Sequence, residues 1–290
     1  MAKLRIKKGT HALNRSLGGD IAINTILIIF GAFMFIPMFY AIIQSLKPLD
    51  ELWVFPPRFF VVNPTVKNYG DLFRLMSTSW VPFSRYIFNT ILISACGTFG
   101  NLVLSSLSAY ALKKIKFPGN DLLFRIVTLS LMFNATVTGI TNFLTMSALG
   151  WVDTYLAIIV PTFCSTLGLY LMGQFIETSI PDTTIESARL DGAGELKTYW
   201  YIAMPIVKPA WLTLIIFSFQ GLWNMGASIY IQSEQLKTFS YAIGQVLAGG
   251  IVRAGAGAAS TVIMMVVPIT VFVVSQSNII ETMASSGMKD

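Results

Sequence analysis

Long apolar runs, separated by shorter polar stretches rich in proline or lysine, set the pattern of this chain. Six runs reach the roughly 20 residues that a helix needs to cross a bilayer: about 21–46, 87–112, 122–144, 155–176, 210–231 and 259–280. The run at 122–144 is the most dilute, because Asn134, Thr136, Thr138, Thr141 and Asn142 interrupt it. The first run is too long for a signal-peptide core and no small-x-small cleavage site follows it, so it reads as an uncleaved helix. The pattern predicts an all-α integral membrane protein with six transmembrane helices. A basic tail over 1–20 precedes a membrane domain over 21–290.

Two of the polar stretches carry structure of their own. The first, 47–85, holds Pro48, Pro56, Pro57, Pro64 and Pro82, which suit an irregular, ordered cap rather than a helix. Its aromatic residues, Trp53, Phe55 and Trp80 among them, suit packing on the membrane face or on a partner; a folded lid without a partner stands equally open. The second, 181–209, reads as two short helices. Thr183 to Glu186 fits a capping box, with Thr183 as cap and Glu186 reaching back to its amide. Pro181 blocks extension backwards, and Gly192 supplies a left-handed stop. A second helix at about 195–203 is predicted to end at Met204-Pro205, and Pro209 opens the next span as a first-turn proline. The first helix is expected to expose Ser187 and Ala188, with Ala193 and Gly194 beyond the stop, so that another backbone can approach closely. Glu186 and Asp191 offer charge to a basic groove. A helix pair lying on the inner leaflet fits the same residues.

Charge orients the spans. Lys3, Arg5, Lys7, Lys8 and Arg15 in the tail, Lys113, Lys114 and Lys116 after the second span, and Arg189, Lys197 and Lys208 in the 181–209 stretch fall on one side if all six runs cross. The positive-inside rule makes that side, and both termini, cytoplasmic. Of the 290 residues, 54% are hydrophobic and 12% charged, against about 25% charged in soluble domains. The net charge of +6 is dispersed without a basic stripe, which argues against a nucleic-acid partner. Cys96 and Cys164 lie in apolar runs and read as buried thiols rather than a disulfide or metal site.

The candidate chemistry is mostly a matter of what the spans lack. No carboxylate falls within them, and their one basic residue, Arg125, can snorkel to the interface. Ion-coupled transport through intramembrane carboxylates is therefore not expected, although sodium sites built from carbonyls stay open. The phosphate-loop pattern needs a Gly-Lys pair, and the chain has none, so energy for pumping would come from another subunit. One histidine, His11, in the basic tail supports neither a metal cluster nor a histidine-based catalytic site. Neutral amides do occur in the runs. Such groups glue helices together or line a path for an uncharged, hydroxyl-rich solute. Asn134, Asn142, Gln220, Trp223 and Asn224 are the candidates for such a path.

Glu186, Ala188, Gly192, Ile202 and Pro205 fall at the spacing Glu-Ala-Ala, three residues, Gly, nine residues, Ile-x-Leu-Pro. This resembles the EAA motif of permease subunits of bacterial ATP-binding cassette importers; Ser187 replaces the middle alanine and Met204 the leucine. Asn89-Thr-Ile, the stretch from Ser108 to Gly119, Gly150 to Pro161 and Trp223-Asn224 are similar to the carbohydrate-uptake, maltose-type branch of that family. The resemblance implies a type I importer transmembrane domain in a bacterial inner membrane. It implies pairing with a second homologous permease, two ATP-binding cassette subunits and an extracytoplasmic solute-binding protein. ATP and magnesium would be used by the partner subunits, with no cofactor on this chain and no catalytic residue. The EAA helix would be the coupling helix, seated in a cleft of the ATPase. Glu186, Ser187, Ala188, Asp191, Gly192, Ala193, Gly194, Ile202 and Pro205 would form that docking segment. The implied activity is import of a sugar or oligosaccharide by alternating access. A non-sugar solute on the same architecture, or a secondary carrier, is the alternative.

Overall fold

Helix α4 is the axis of the computed structural model, which describes residues 17–77, 80–133 and 135–286. Before it come α1 (Leu17–Ser45), the short α2 (Leu49–Leu52) and α3 (Lys67–Ser77); α4 itself runs Phe83–Lys114. There follow α5 (Asn120–Ser130), α6 (Ala135–Ala148), α7 (Leu156–Phe163), α8 (Thr166–Ser179), α9 (Asp182–Leu190) and α10 (Glu195–Thr198). A π-helical turn (Tyr199–Ala203) joins α10 to α11 (Met204–Ile206). Then come α12 (Lys208–Trp223), α13 (Phe239–Leu247) and α14 (Ala254–Ser286).

Helix α4 packs against α7, α8 and α12, while α14 receives α1, α3, α12 and α13. Small residues let the helices come close, as expected where lipid removes the hydrophobic drive between them. A Cβ on Gly100 would stand 2.0 Å from the Phe163 ring, and one on Gly168 would stand 2.8 Å from Ser105 Oγ. Three apolar clusters result among the described residues. One joins α4, α8 and α12 to the 181–209 stretch through Tyr110, Met172, Ile176, Tyr199, Val207 and Leu214. Another joins α3, α13 and α14 through Leu72, Met76, Phe239, Ile243 and Ala259. The smallest joins α4, α7 and α12 through Ile93, Ile158 and Leu222.

Among the described residues, four helices are long and apolar enough to cross a membrane: Gly18–Ser45, Phe83–Lys114, Leu156–Ser179 and Ile251–Gln276. The bent pair Glu195–Ile206 and Lys208–Trp223, whose arms meet at 83°, passes the same test only when taken together, as a broken span or a re-entrant turn. Within the expected run at 122–144 the structure describes two helices, α5 and α6, and Asn134 between them lies outside the described residues. Near the break, Thr128 and Ser130 hydroxyls donate to their own backbone carbonyls at Phe124 and Val127, which weakens helix continuity. The expected run at 210–231 is helical only to Trp223, because the Asn224 side-chain amide caps the Gln220 carbonyl. The cap is not wholly irregular either: beyond Pro64, α3 buries Leu72 and Met76 against α14. The two cysteines are free and exposed on this chain, contrary to the buried thiols expected of apolar runs. An apolar helix in lipid is free to turn a small hydrophobe outward.

Candidate functional site

The 181–209 stretch is built on the end of α4. Pro181, at φ −62° and ψ 141°, fixes an extended entry to α9 and offers its carbonyl to the Thr184 amide at 3.1 Å. Helix α9 therefore begins at Asp182, and the expected capping box is absent. Thr183 lies inside the first turn, where its carbonyl accepts from the Ser187 hydroxyl at 2.8 Å, and Glu186 is exposed. The entry is held instead by a cation from α4. Lys114 Nζ donates to the Ile180 carbonyl at 2.6 Å and to Asp182 at 2.7 Å. That hydrogen bond, with the lysine charge behind it, holds the Asp182 carboxyl below its ordinary range. An acid in the first turn also suits the positive end of the helix dipole.

The exit from α9 follows the sequence expectation. Gly192 adopts φ +78°, its amide donates to Arg189 O at 3.0 Å, and the Ala193 amide donates to Ala188 O at 2.9 Å. This pair of bonds is a Schellman motif, for which a residue with a Cβ is poorly suited at the left-handed position. Arg189 then reaches across the turn to Glu195 at 2.8 Å and back to the Lys114 carbonyl at 3.2 Å. Glu195 also accepts from Tyr110 at 3.0 Å. The Arg189 hydrogen bond is the main reason the Glu195 carboxyl is lowered, with burial opposing it. Both ends of α9 are thus tied to the last turn of α4.

The second helix runs further than expected. Pro205 does not end it, since the chain stays helical to Ile206. The π turn accounts for this: the Met204 amide donates to Tyr199 O, five residues back, and the widened turn relieves the clash of a proline ring with the preceding turn. The helix ends at Val207, and α12 starts at Lys208 with Pro209 in its first turn, as expected. Tyr199 is fully buried, shares a 2.6 Å hydrogen bond with Ser106 of α4 and meets the Tyr110 ring edge-on. Trp211 Nε1 donates to Met204 O at 3.1 Å, pinning the two arms of the bend together.

The outward face carries Glu186, Ser187, Asp191, Gly192, Gly194 and Pro205, all exposed; Ala193 and Ile202 are half-buried. Ala188 is buried at 5% exposure, so it packs inward rather than offering a small outer surface. Sequence reasoning missed two residues here. Leu190 and Leu196 are 89% and 69% exposed on either side of the Gly192 bend. Their signal was an apolar residue flanking each side of a glycine stop in an otherwise polar stretch.

Residues 101–284 match the family of binding-protein-dependent transport system inner membrane components. The chain belongs to that family. It is the transmembrane permease subunit of an ATP-binding cassette importer and a multi-pass membrane protein. It is 31% identical over 211 residues to Protein LplC of Bacillus subtilis, covering 70% of this chain and 67% of that one. It is 29% identical over 210 residues to the sn-glycerol-3-phosphate transport system permease protein UgpE of Yersinia enterocolitica, covering 71% of this chain and 74% of the relative. A further relative is the polygalacturonan/rhamnogalacturonan transport system permease protein YtcP of Bacillus subtilis, 27% identical over 217 residues, with 74% and 73% covered. The fold also matches a chain from the crystal structure of a bacterial ABC transporter involved in the import of the acidic polysaccharide alginate. That match has TM-score 0.75 and 24% identity, and covers 92% of this chain and 99% of the other.

The permease's expected solute-path residues are only partly gathered. Asn134 lies outside the described residues. Gln220, Trp223 and Asn224 cluster at the end of α12, with Gln220 half-buried and Asn224 exposed. Trp223 is buried, stacks on Phe219 and donates Nε1 to Met264 O of α14 at 3.2 Å. Asn142 is exposed on α6, beside Phe143, whose ring stacks on Tyr230 of the chain beyond α12. That chain, 224–238, is held by a polar node that the sequence did not reveal as a site. Asn89 of α4 donates to the carbonyls of Gln235 and Lys237 at 2.8 Å each and accepts from Tyr155 at 2.7 Å. Arg85 Nε adds a bond to Gln235 O at 3.2 Å, and Tyr86 one to Glu234 at 2.9 Å. Asp153, at φ +62°, accepts from the Gln232 and Ser233 amides and from the Ser233 hydroxyl, which holds its carboxyl low. Helix α12, at 16 residues, is only ~24 Å long, less than the bilayer core of ~30 Å. In the irregular backbone beyond it, the carbonyls of Asn224, Met225, Gln235 and Lys237 accept from protein side chains.

Proposed function

We propose that this permease imports a sugar, oligosaccharide or similarly polyhydroxylated solute by alternating access, driven by separate ATPase subunits that dock on 181–209. The observation that carries the coupling part is the double tether of α9 to the last turn of α4 through Lys114 and Arg189. A push on the exposed face of α9 would be carried to the axial helix α4 through short, charge-assisted contacts. The solute class is supported by UgpE and YtcP, permease proteins of transport systems for sn-glycerol-3-phosphate and for polygalacturonan/rhamnogalacturonan. It is also supported by the neutral amides of the α12 end.

In this reading 181–209 and both termini are cytoplasmic, and the membrane is a bacterial inner membrane. An extracytoplasmic binding protein delivers the solute, and a homologous permease completes the path. The largely exposed, apolar α1, with mean hydropathy 2.6, suits cover by lipid or by that second permease. The chain binds no cofactor and has no ATPase site, and ATP with magnesium is used by the partners. The test is uptake of a labelled oligosaccharide by proteoliposomes holding the assembled transporter and its binding protein. Accumulation should require ATP and the ATPase subunits, and Glu186→Ala should weaken co-purification of the ATPase. Gradient-driven uptake by the permeases alone would overturn the reading.

A further inference from the structure

An apolar groove of about 430 Å³ lies in the elbow between the helical stretch Glu195–Ile206 and α12. Leu102 and Val103 of α4, Trp200 and Met204 of that stretch and Trp211 of α12 form its walls, and Lys208 is the charged side chain in its lining. Both arms of the 83° bend thus contribute, together with the axial helix.

The geometry points to a binding site for one anionic phospholipid of the inner leaflet, its acyl chain in the groove and its phosphate at Lys208. This rests on the cytoplasmic placement of 181–209 proposed above. Depth supports it. Lys113 and Lys114 close α4 at the expected inner interface, and the groove residue Val103 lies eleven residues earlier, ~16 Å along the helix. Half of the hydrocarbon core is ~15 Å, so the groove falls at acyl-chain depth. The polar lining fits as well. The Ser106 hydroxyl is engaged by Leu102 O and Tyr199, and the Trp211 N–H by Met204 O, so neither asks for a polar solute. Trp200 is half exposed, as a side chain at headgroup level should be. A basic residue beside an apolar cleft on the cytoplasmic side is the arrangement that recognises anionic headgroups. A chain wedged there touches Met204 and Trp211 together, so it would hold the bend that carries 181–209.

The test is native mass spectrometry of the assembled transporter after equilibration with vesicles of equal phosphatidylglycerol and phosphatidylcholine. Phosphatidylglycerol should be retained selectively. Lys208→Gln should cut that retention about fivefold, matching the roughly 1 kcal/mol that one lysine contributes near an anionic surface. Val103→Trp, which fills the groove, should remove retention of either lipid, while Lys67→Gln on the outer cap should change nothing. Equal retention of the two lipids, or no loss in Lys208→Gln, overturns the proposal. So does crosslinking of Val103→Cys to the second permease with no lipid retained. Labelling of Trp200→Cys by an impermeant maleimide separates the two readings. Reaction only from the extracytoplasmic side sinks the topology itself, whereas reaction from the cytoplasmic side without lipid retention sinks the lipid site alone.

Discussion

The two ends of α4 are held by opposite means. At its C-terminal end, the contacts to 181–209 combine the buried Tyr199–Ser106 bond with charged groups whose far partners are exposed, Lys114 with Asp182 and Arg189 with the Lys114 carbonyl. Towards its N-terminal end, the contacts to 224–238 centre on Asn89, a neutral amide with no solvent exposure. Exposed ion pairs contribute little net stability and re-form easily. A buried amide with three partners leaves unsatisfied groups behind if any of them is lost. The Asn89 end thus suits a fixed platform, and the end at 181–209, under the proposed function, a contact surface that a partner can load without unfolding the permease.

Breaking the Asn89 node should therefore have the largest effect. Asn89→Leu strands the Lys237 carbonyl, takes the acceptor from the Tyr155 hydroxyl and leaves the Gln235 carbonyl with the Arg85 bond alone, a loss of about 3 kcal/mol. Thermal unfolding of the detergent-solubilised protein should show it as a clear drop in Tm, and an unchanged Tm would remove the node from the account. Next comes Gly192→Val. A Cβ there meets no atom within 4 Å, so the penalty comes only from φ +78°, on the order of 1–3 kcal/mol. The protein should insert and assemble, yet lose ATP-coupled uptake. Tyr199→Phe deletes one buried hydrogen bond to Ser106 and should cost about 1 kcal/mol, read in the same melting assay.

The smallest effect is electrostatic. The Asp182 and Glu195 carboxyls are both held below their ordinary values, so their contribution is full above that range and is lost as pH falls through the lowered ones. Amide hydrogen exchange over 183–193, corrected for intrinsic rates, should be flat near neutral pH. Protection should fall only below about pH 4. Asp182→Asn should weaken that dependence and barely alter Tm.

The 181–209 segment was more legible than the Asn89 node, for a physical reason. Gly192, Pro181 and Pro209 act through their own backbone limits, which local sequence states directly. The capping box failed because Pro181 sets the helix start at Asp182, which puts Thr183 inside the first turn rather than at the cap. Pro205 failed as a stop because a π turn absorbs it, and single residue preferences carry no sign of that register shift. The Asn89 node is a tertiary arrangement about 150 residues apart in sequence, visible beforehand only as one amide in an apolar run. The runs that became α1, α4 and α14 were plain, since hydropathy alone defines them. The runs at 122–144 and 210–231 broke where hydroxyls and an asparagine compete for backbone groups.

The central claim is that the exposed face of α9 meets the ATPase. With Cys96 and Cys164 replaced by serine, Ser187→Cys in the assembled transporter should crosslink to a cysteine in the ATPase subunit, and the yield should change when ATP is added. A crosslink to the solute-binding protein, or none to the ATPase in a complex that still transports, would contradict the account.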